Sequence, residues 1–249
     1  MRERILARRW FYEFELPDGS YTESYLPEHV RPLHDTRRRM LRHHLEERFG
    51  ADWSPLRCLD LGCHEGYFAV ELARGGCGEV LGLDAREPHV RHARWIAEAL
   101  QLDVLRFEQA DIAGIDAAAF ARFDVVLMFG LVYHVSDLVG VLRTARALTK
   151  GVCMIETQLA PDFGGELEWG AADFRMAVRG CLAIVDESAE IARGNAEAAI
   201  AGISLVPSLG GLLWLLRAVG FGSVVGLAPP VDGYEQLARG ARVMVAAAD

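Results

Sequence analysis

A chain of 249 residues, 51% of them hydrophobic, can bury the core of one large α/β domain with room for elaborations. Its formal net charge of −9 and its single lysine, Lys150, argue against a nucleic-acid partner, which usually calls for a basic face. Five cysteines (58, 63, 77, 153 and 181) form no C-x-x-C pair, and the basic start Met1–Arg9 runs on into more charge where an exported protein has an apolar run, so a reduced cytoplasm is expected.

Residues 1–50 read as an N-terminal extension or cap, ahead of a cofactor-binding domain over 51–249. Within the extension, Trp10–Leu16 alternates as a strand, Pro17–Ser20 is a turn signal, and Tyr21–Tyr25 would return as the second arm of a hairpin. A helix is expected over 35–49, capped by Asp35 or Thr36 and stopped by Gly50. Its clusters Arg37-Arg38-Arg39 and His43-His44 read as a solvated face, with a substrate-anion contact as the minor alternative. Strands are then expected at 57–62, 79–84, 104–110, 123–129 and 152–157, with helices at 66–74, 87–100 and 136–148. Such alternation means a parallel sheet covered on both faces.

Residues 158–206 break the pattern. Nearly fifty residues are too many for an ordinary connection, so a substrate lid is expected, with a mixed helical stretch rich in Ala and Glu. Trp10, Tyr21, Phe163 and Trp169 could line a partly apolar acceptor site or simply pack the lid. A helix over 207–219 and strands at 223–228 and 242–247 complete a seven-stranded, doubly wound, Rossmann-like sheet. The most apolar stretch, 209–230, is interrupted by Arg217, glycines and prolines and reads as helix plus strand, so no membrane partner is expected. A homodimer stays open.

The most informative run is Leu59-Asp60-Leu61-Gly62-Cys63-His64-Glu65-Gly66-Tyr67-Phe68, in which an apolar strand gives way to a glycine turn and a helix. The following strand ends in Asp84, twenty-two residues after Gly62, the spacing of a ribose-binding acid in doubly wound folds. The turn is G-x-x-x-G, whereas a dinucleotide site wants G-x-G-x-x-G, and Glu65 inside it would repel a pyrophosphate. A cationic cofactor without phosphate suits the turn better; a nicotinamide oxidoreductase is disfavoured.

Leu59-Asp60-Leu61-Gly62-Cys63-x-x-Gly66 resembles the first motif of class I S-adenosylmethionine (SAM)-dependent methyltransferases. Asp84 matches their ribose acid, Ala110-Asp111-Ile112 their adenine-side motif, and Phe123–Met128 their fourth strand. Cys63 and His64 stand where the family often has a second glycine. The resemblance covers roughly residues 50–248 and implies SAM as cofactor, held by Asp60, Gly62, Cys63, Glu65, Gly66, Asp84, Ala85, Asp111, Ile112 and Phe129. Gly130-Leu131-Val132-Tyr133-His134 resembles an element of many small-molecule methyltransferases and of the tRNA wobble-uridine carboxymethyltransferase group; Trp10-Phe11 and Pro207–Phe221 resemble the latter group too.

The expected function is therefore methyl transfer to an oxygen or nitrogen of a small molecule, with a tRNA-modifying enzyme and a non-catalytic SAM-binding module as alternatives. Tyr133, His134 and Glu156, at the carboxyl edges of strands four and five, are the catalytic candidates. His134 would be a general base or a structural histidine. Glu156 could orient a hydroxyl, pair with His134, join a metal site, or pair with an arginine. No H-x-x-x-H or acid cluster marks a metal site, and the metal question stays open.

Overall fold

A computed structural model describes residues 1–170 and 172–249. The chain opens with a short helix α1 (Arg2–Leu6) and an irregular segment leading to α2 (Pro32–Phe49). The expected hairpin is reduced to two isolated bridges, Trp10–Ser24 and Glu15–Tyr21. The reason is packing. Ile5, Trp10, Tyr12, Phe14 and Leu16 turn into one core cluster shared with the main domain, which a two-stranded ribbon standing alone would leave in water. α2 starts three residues before the expected helix, because Pro32 fits a first helical turn, where no N–H donor is needed.

The central strands are β1 (Arg57–Leu61), β2 (Glu79–Asp84), β3 (Leu105–Gln109), β4 (Phe123–Phe129) and β5 (Thr149–Gln158). Helices α3 (Tyr67–Arg74), α4 (Glu87–Leu100) and α5 (Leu138–Leu148) connect them, with one-turn 3-10 helices at Ile112–Gly114, Ala117–Ala119 and Val132–His134. After β5 the insertion is mainly β, against the helical expectation. It contains the ribbons β6 (Gly165–Glu168) with β7 (Arg175–Val178), and β8 (Leu182–Asp186) with β9 (Ile203–Pro207). Its Ala- and Glu-rich stretch yields just the five-residue α6 (Ser188–Ala192). Ile184, Val185, Ile203 and Val206 carry the β-branched side chains that favour strands in β8 and β9. Then come α7 (Leu209–Ala218, capped by Ser208), β10 (Ser223–Leu227), α8 (Glu235–Ala238) and β11 (Arg242–Ala248).

Seven strands form one sheet in the order β3-β2-β1-β4-β5-β11-β10, parallel except for β11. Side chains alternate between two cores, as a period of two requires. Val125, Leu127 and Phe129 of β4 face the core built by α2, α3, α4 and the N-terminal segment. Val126 and Met128 face the core under α5 and α7. From β1 the chain runs outward to β2 and β3, then crosses back to β4 on the other side of β1, so the carboxyl ends of β1 and β4 open a crevice at the switch point, where doubly wound folds bind ligands. Among the described residues no helix is long and apolar enough to cross a membrane.

Candidate active site

A cavity of about 480 Å³ occupies that crevice, within the range of small-molecule sites. Its floor is Leu61, Gly62, Asp84, Ala85, Asp111, Ile112 and Phe129, all from the carboxyl ends of β1 to β4 or the turns after them. Gly62 and Gly66 have φ of +68° and +84°, in the left-handed region open to glycine. The steric need for glycine lies inside the protein: a Cβ on Gly66 would run into Phe107 Cζ, and one on Gly62 would come within 2.8 Å of Leu131 Cδ1. The glycines let the turn fold against its own core.

Asp84 lies at the centre of this end. Its Oδ2 accepts the His64 amide at 2.9 Å, its Oδ1 accepts the Arg86 amide at 2.9 Å, and His89 Nδ1 lies 3.2 Å from Oδ1. Burial opposes ionisation, but the His89 contact, the Arg86 amide and the charge of His64 hold the carboxyl below its usual range. A carboxylate has about four acceptor sites, so hydroxyls from a ligand can add to these contacts. Asp111 also lines the cavity while its Oδ1 caps the next turn through the Ala113 amide at 3.0 Å.

Asp60, Cys63, Glu65 and Gly66 stand behind this wall instead of in it. Glu65 turns away, accepting the Phe11 amide at 2.8 Å and pairing with Arg8 at 3.0 Å. Its charge therefore ties down the N-terminal segment, and the expected repulsion of a pyrophosphate loses its basis. Asp60 is 2% exposed, with Oδ2 lacking a hydrogen-bond partner. Burial, reinforced by Asp84, pushes its carboxyl up to about 8 against the Ala69 amide, so it carries a proton at neutral pH.

The other end of the cavity holds Tyr133 and His134, whose ring centroids are 4.2 Å apart. His134 Nδ1 lies 3.4 Å from Ser204 Oγ and 3.7 Å from Glu187 Oε2, while Ser204 donates to Glu187 Oε1 at 2.8 Å. Burial holds the imidazole below the usual histidine range, with Glu187 partly offsetting it. Of the alternatives open to Glu156, the structure shows the arginine pairing, and His134 meets this insertion pair instead. Glu156 is fully buried between Arg37 of α2 and Arg242 of β11, whose Nε donates at 2.6 Å; burial opposes its charge, and the two arginines hold its carboxyl below the usual range. Arg37, expected on a solvated face, is 4% exposed.

The insertion covers the cavity from above. Residues 196–201 line it; Arg86 donates to the Ala198 carbonyl at 2.6 Å. Glu197 Oε1 accepts the Tyr25 hydroxyl at 2.6 Å, and Oε2 makes a charge contact with His64 Nε2 at 2.9 Å. Burial works against the Glu197 charge, but His64 and Tyr25 bring its carboxyl down to about 2. The aromatic wall is Phe11, Tyr12, Phe129 and Tyr133. Trp10 is instead in the core, and Tyr21, Phe163 and Trp169 are exposed. Among the described residues no group of three or more His, Cys, Asp or Glu is arranged to hold a metal ion.

A family model described as a methyltransferase domain matches residues 54–174. Among curated proteins, the ubiquinone biosynthesis O-methyltransferase of Cereibacter sphaeroides is 39% identical over 97 residues, covering 38% of this chain and 37% of that protein. The enzyme of the same name from Ruegeria pomeroyi is 40% identical over 96 residues, with 38% and 37% covered. The chain thus spans little more than a third of the length of the curated relatives it matches. Among solved structures, the N-terminal domain of EvdMO1 with SAH bound covers 100% of this chain and 97% of that one, with a TM-score of 0.69 and 23% identity. An S-adenosylmethionine-dependent methyltransferase from Mesorhizobium loti covers 85% and 97%, with a TM-score of 0.59 and 22% identity. At these identities the structural likeness shows the fold. The segment that matches the methyltransferase-domain model, a little under half of the chain, holds the Gly62 turn, Asp84, Asp111 and the Tyr133-His134 pair, all at one end of this sheet.

Proposed function

We propose that the chain moves a methyl group from SAM to an oxygen or nitrogen of a small-molecule acceptor. The carrying observation is one cavity with a buried, ionised acid at its nucleoside end and a histidine kept neutral at the other. The residues present fit the donor. Asp84 offers acceptors to ribose hydroxyls, Ile112 and Leu83 offer apolar cover to a purine, Asp111 offers an acceptor to its amino group, and Gly62, Ala85 and Phe129 complete the wall. Cys63 and Gly66 shape the turn, and Asp60 and Glu65 support it from behind.

Bound SAM supplies an electrophilic methyl group on a sulfonium. The chain's own part is to align an acceptor with that methyl, exclude water, and take the acceptor's proton. His134 is neutral at physiological pH and accepts that proton at its ring; Glu187 and Ser204 fix the ring and stabilise the charge that develops on it. Tyr133 packs against the His134 ring and sets its position. The N-terminal extension and the insertion, residues 1–50 and 158–206, act as the cover. The O-methyltransferase activity for which the curated relatives are named favours oxygen over nitrogen as acceptor atom. The acidic charge favours a small molecule over RNA, and the free thiols suit the reducing cytoplasm.

Calorimetry with S-adenosylhomocysteine (SAH), followed by methyl release from labelled SAM over an acceptor panel of phenols, catechols and amines, tests the reading. Micromolar SAH binding with turnover on a hydroxyl is expected. A folded chain that ignores millimolar SAH overturns it.

A further inference from the structure

At the inner end of the acceptor half, two guanidiniums share one carboxylate. Arg37 and Arg242 both bond Glu156, and among the described residues neither has another acid within ion-pair distance. The group therefore holds one excess positive charge while all three side chains are nine-tenths or more buried. Arg37 Nε is buried with no hydrogen-bond partner. Two other acids of the cavity wall are partnered elsewhere, Glu197 with His64 and Asp84 with His89. Tyr133 offers a phenol oxygen 3.4 Å from Arg242, burial keeps the Tyr12 phenol protonated, and burial with the charge of Arg37 keeps His34 neutral.

An uncompensated buried cation is expensive, and a folded chain keeps one most economically where a ligand brings the missing anion. Both arginines line the cavity. A guanidinium is a planar fork matched to a carboxylate. The same cavity takes apolar lining from the N-terminal part of the chain, Phe11, Leu26, Val30 and Leu33. We propose that Arg37 and Arg242 seat the carboxylate of an acceptor that carries this group on an apolar body. The inference rests on the methyltransferase reading above, which puts acceptor and donor in one cavity. Its position favours the acceptor over the donor: three strand spacings separate β5, which carries Glu156, from β2, which carries Asp84, roughly 14 Å at the usual interval. Tyr133, whose ring lies under Arg242 at 5.7 Å, links the seat to His134.

Benzoate and benzyl alcohol share a ring and differ in charge, so they are suitable probes for the full chain saturated with SAH. One charge-assisted contact implies that calorimetry will read benzoate at least about tenfold tighter. Arg37→Met should cut that preference to about twofold. If this variant does not fold, Arg37→Lys, which keeps the charge and loses the fork, should cut it about threefold. Equal affinity of the wild-type chain for the two probes overturns the proposal, as does a preference unchanged in the folded Arg37 variants. A third arm identifies whose carboxylate is held, using 5′-methylthioadenosine, which lacks the amino-acid tail of SAH. If an Arg37 variant weakens SAH about tenfold and leaves methylthioadenosine unchanged, the seat serves the cofactor and the acceptor assignment is overturned. A wild-type chain that fails to bind SAH sinks the methyltransferase reading instead; the benzoate preference is then read on the chain without SAH.

Discussion

The two ends of the cavity are built in opposite ways. The end proposed to hold the nucleoside draws Gly62, Asp84, Asp111 and Ile112 from consecutive strand–turn units, each set by its neighbours in sequence. The end proposed for the acceptor joins Arg37, His134, Glu187, Ser204 and Arg242, which come from α2, the turn after β4, the insertion and β11. Local strand–turn geometry creates the first end, and long-range packing creates the second. The first can be shared by every chain with this fold, whereas the second can be rebuilt to suit a different acceptor without disturbing the sheet.

The acceptor end should break most sharply at His134. Replacing it with alanine should lower kcat by about 10²- to 10⁴-fold, the usual contribution of a positioned base, and leave SAH affinity within about twofold. The pH profile adds a signature. Burial depresses the imidazole, so its neutral form persists below the ordinary histidine value, and kcat should fall only as pH drops below about 6.5. Glu187 raises the His134 value, so Glu187→Gln should move this acid limb to still lower pH while reducing kcat about tenfold. An acid limb that stays in place in Glu187→Gln would show that the insertion does not reach the base.

The nucleoside end should break at Asp84. Asp84→Ala removes the acceptor proposed for the ribose and strands the amides of His64 and Arg86. SAH affinity should fall about 100-fold, from charge-assisted bonds worth about 1.5–3 kcal/mol each, with a stability loss of about 2–4 kcal/mol. Calorimetry and denaturant titration separate the two effects. Next in size comes Gly66→Ala, which forces a side chain into left-handed backbone and against Phe107, costing about 2–4 kcal/mol. Phe107→Leu in the same chain should return part of that loss, because the two sites share one contact. A simple sum of the single effects in the double variant would put the strain in the backbone alone.

What could be read from the sequence follows the same division. Every core strand and its covering helix was visible in the alternation of periods, and Gly62 and Asp84 in their spacing, because these features are local. Arg37 was hidden by its neighbours: in a run of three arginines and two nearby histidines, nothing marks the one that turns inward to Glu156. Glu187, Ser204 and Glu197 lie in a segment whose composition suggested helix but whose ribbons depend on docking against the cavity. His64, standing where the family often has glycine, was the one available signal, since a bulky residue in that turn must meet whatever covers it. The N-terminal aromatics alternated like a hairpin, but burial of Trp10 and Phe14 in the domain core overrode that local pattern.

Asp60 gives the finest test of where the nucleoside end stops. Its motif position puts it with the cofactor, but its side chain lies behind the wall with one oxygen unpartnered. Its carboxyl titrates near 8 in the folded chain against 3.8 for the ordinary group, so between those values the folded state holds a proton that the unfolded state has lost. Stability from this group is therefore complete below pH 4 and declines as pH rises through about 8. Asp60→Asn keeps the shape and removes the titration. It should match the wild-type chain at pH 4 and exceed it by about 1 kcal/mol or more at pH 8, as read by denaturant midpoints at both pH values. SAH affinity should stay within about threefold, since the cavity wall is unchanged. A larger drop in affinity would move Asp60 into the binding site, and a flat difference between pH 4 and pH 8 would mean that the carboxylate finds a charge partner through the turn.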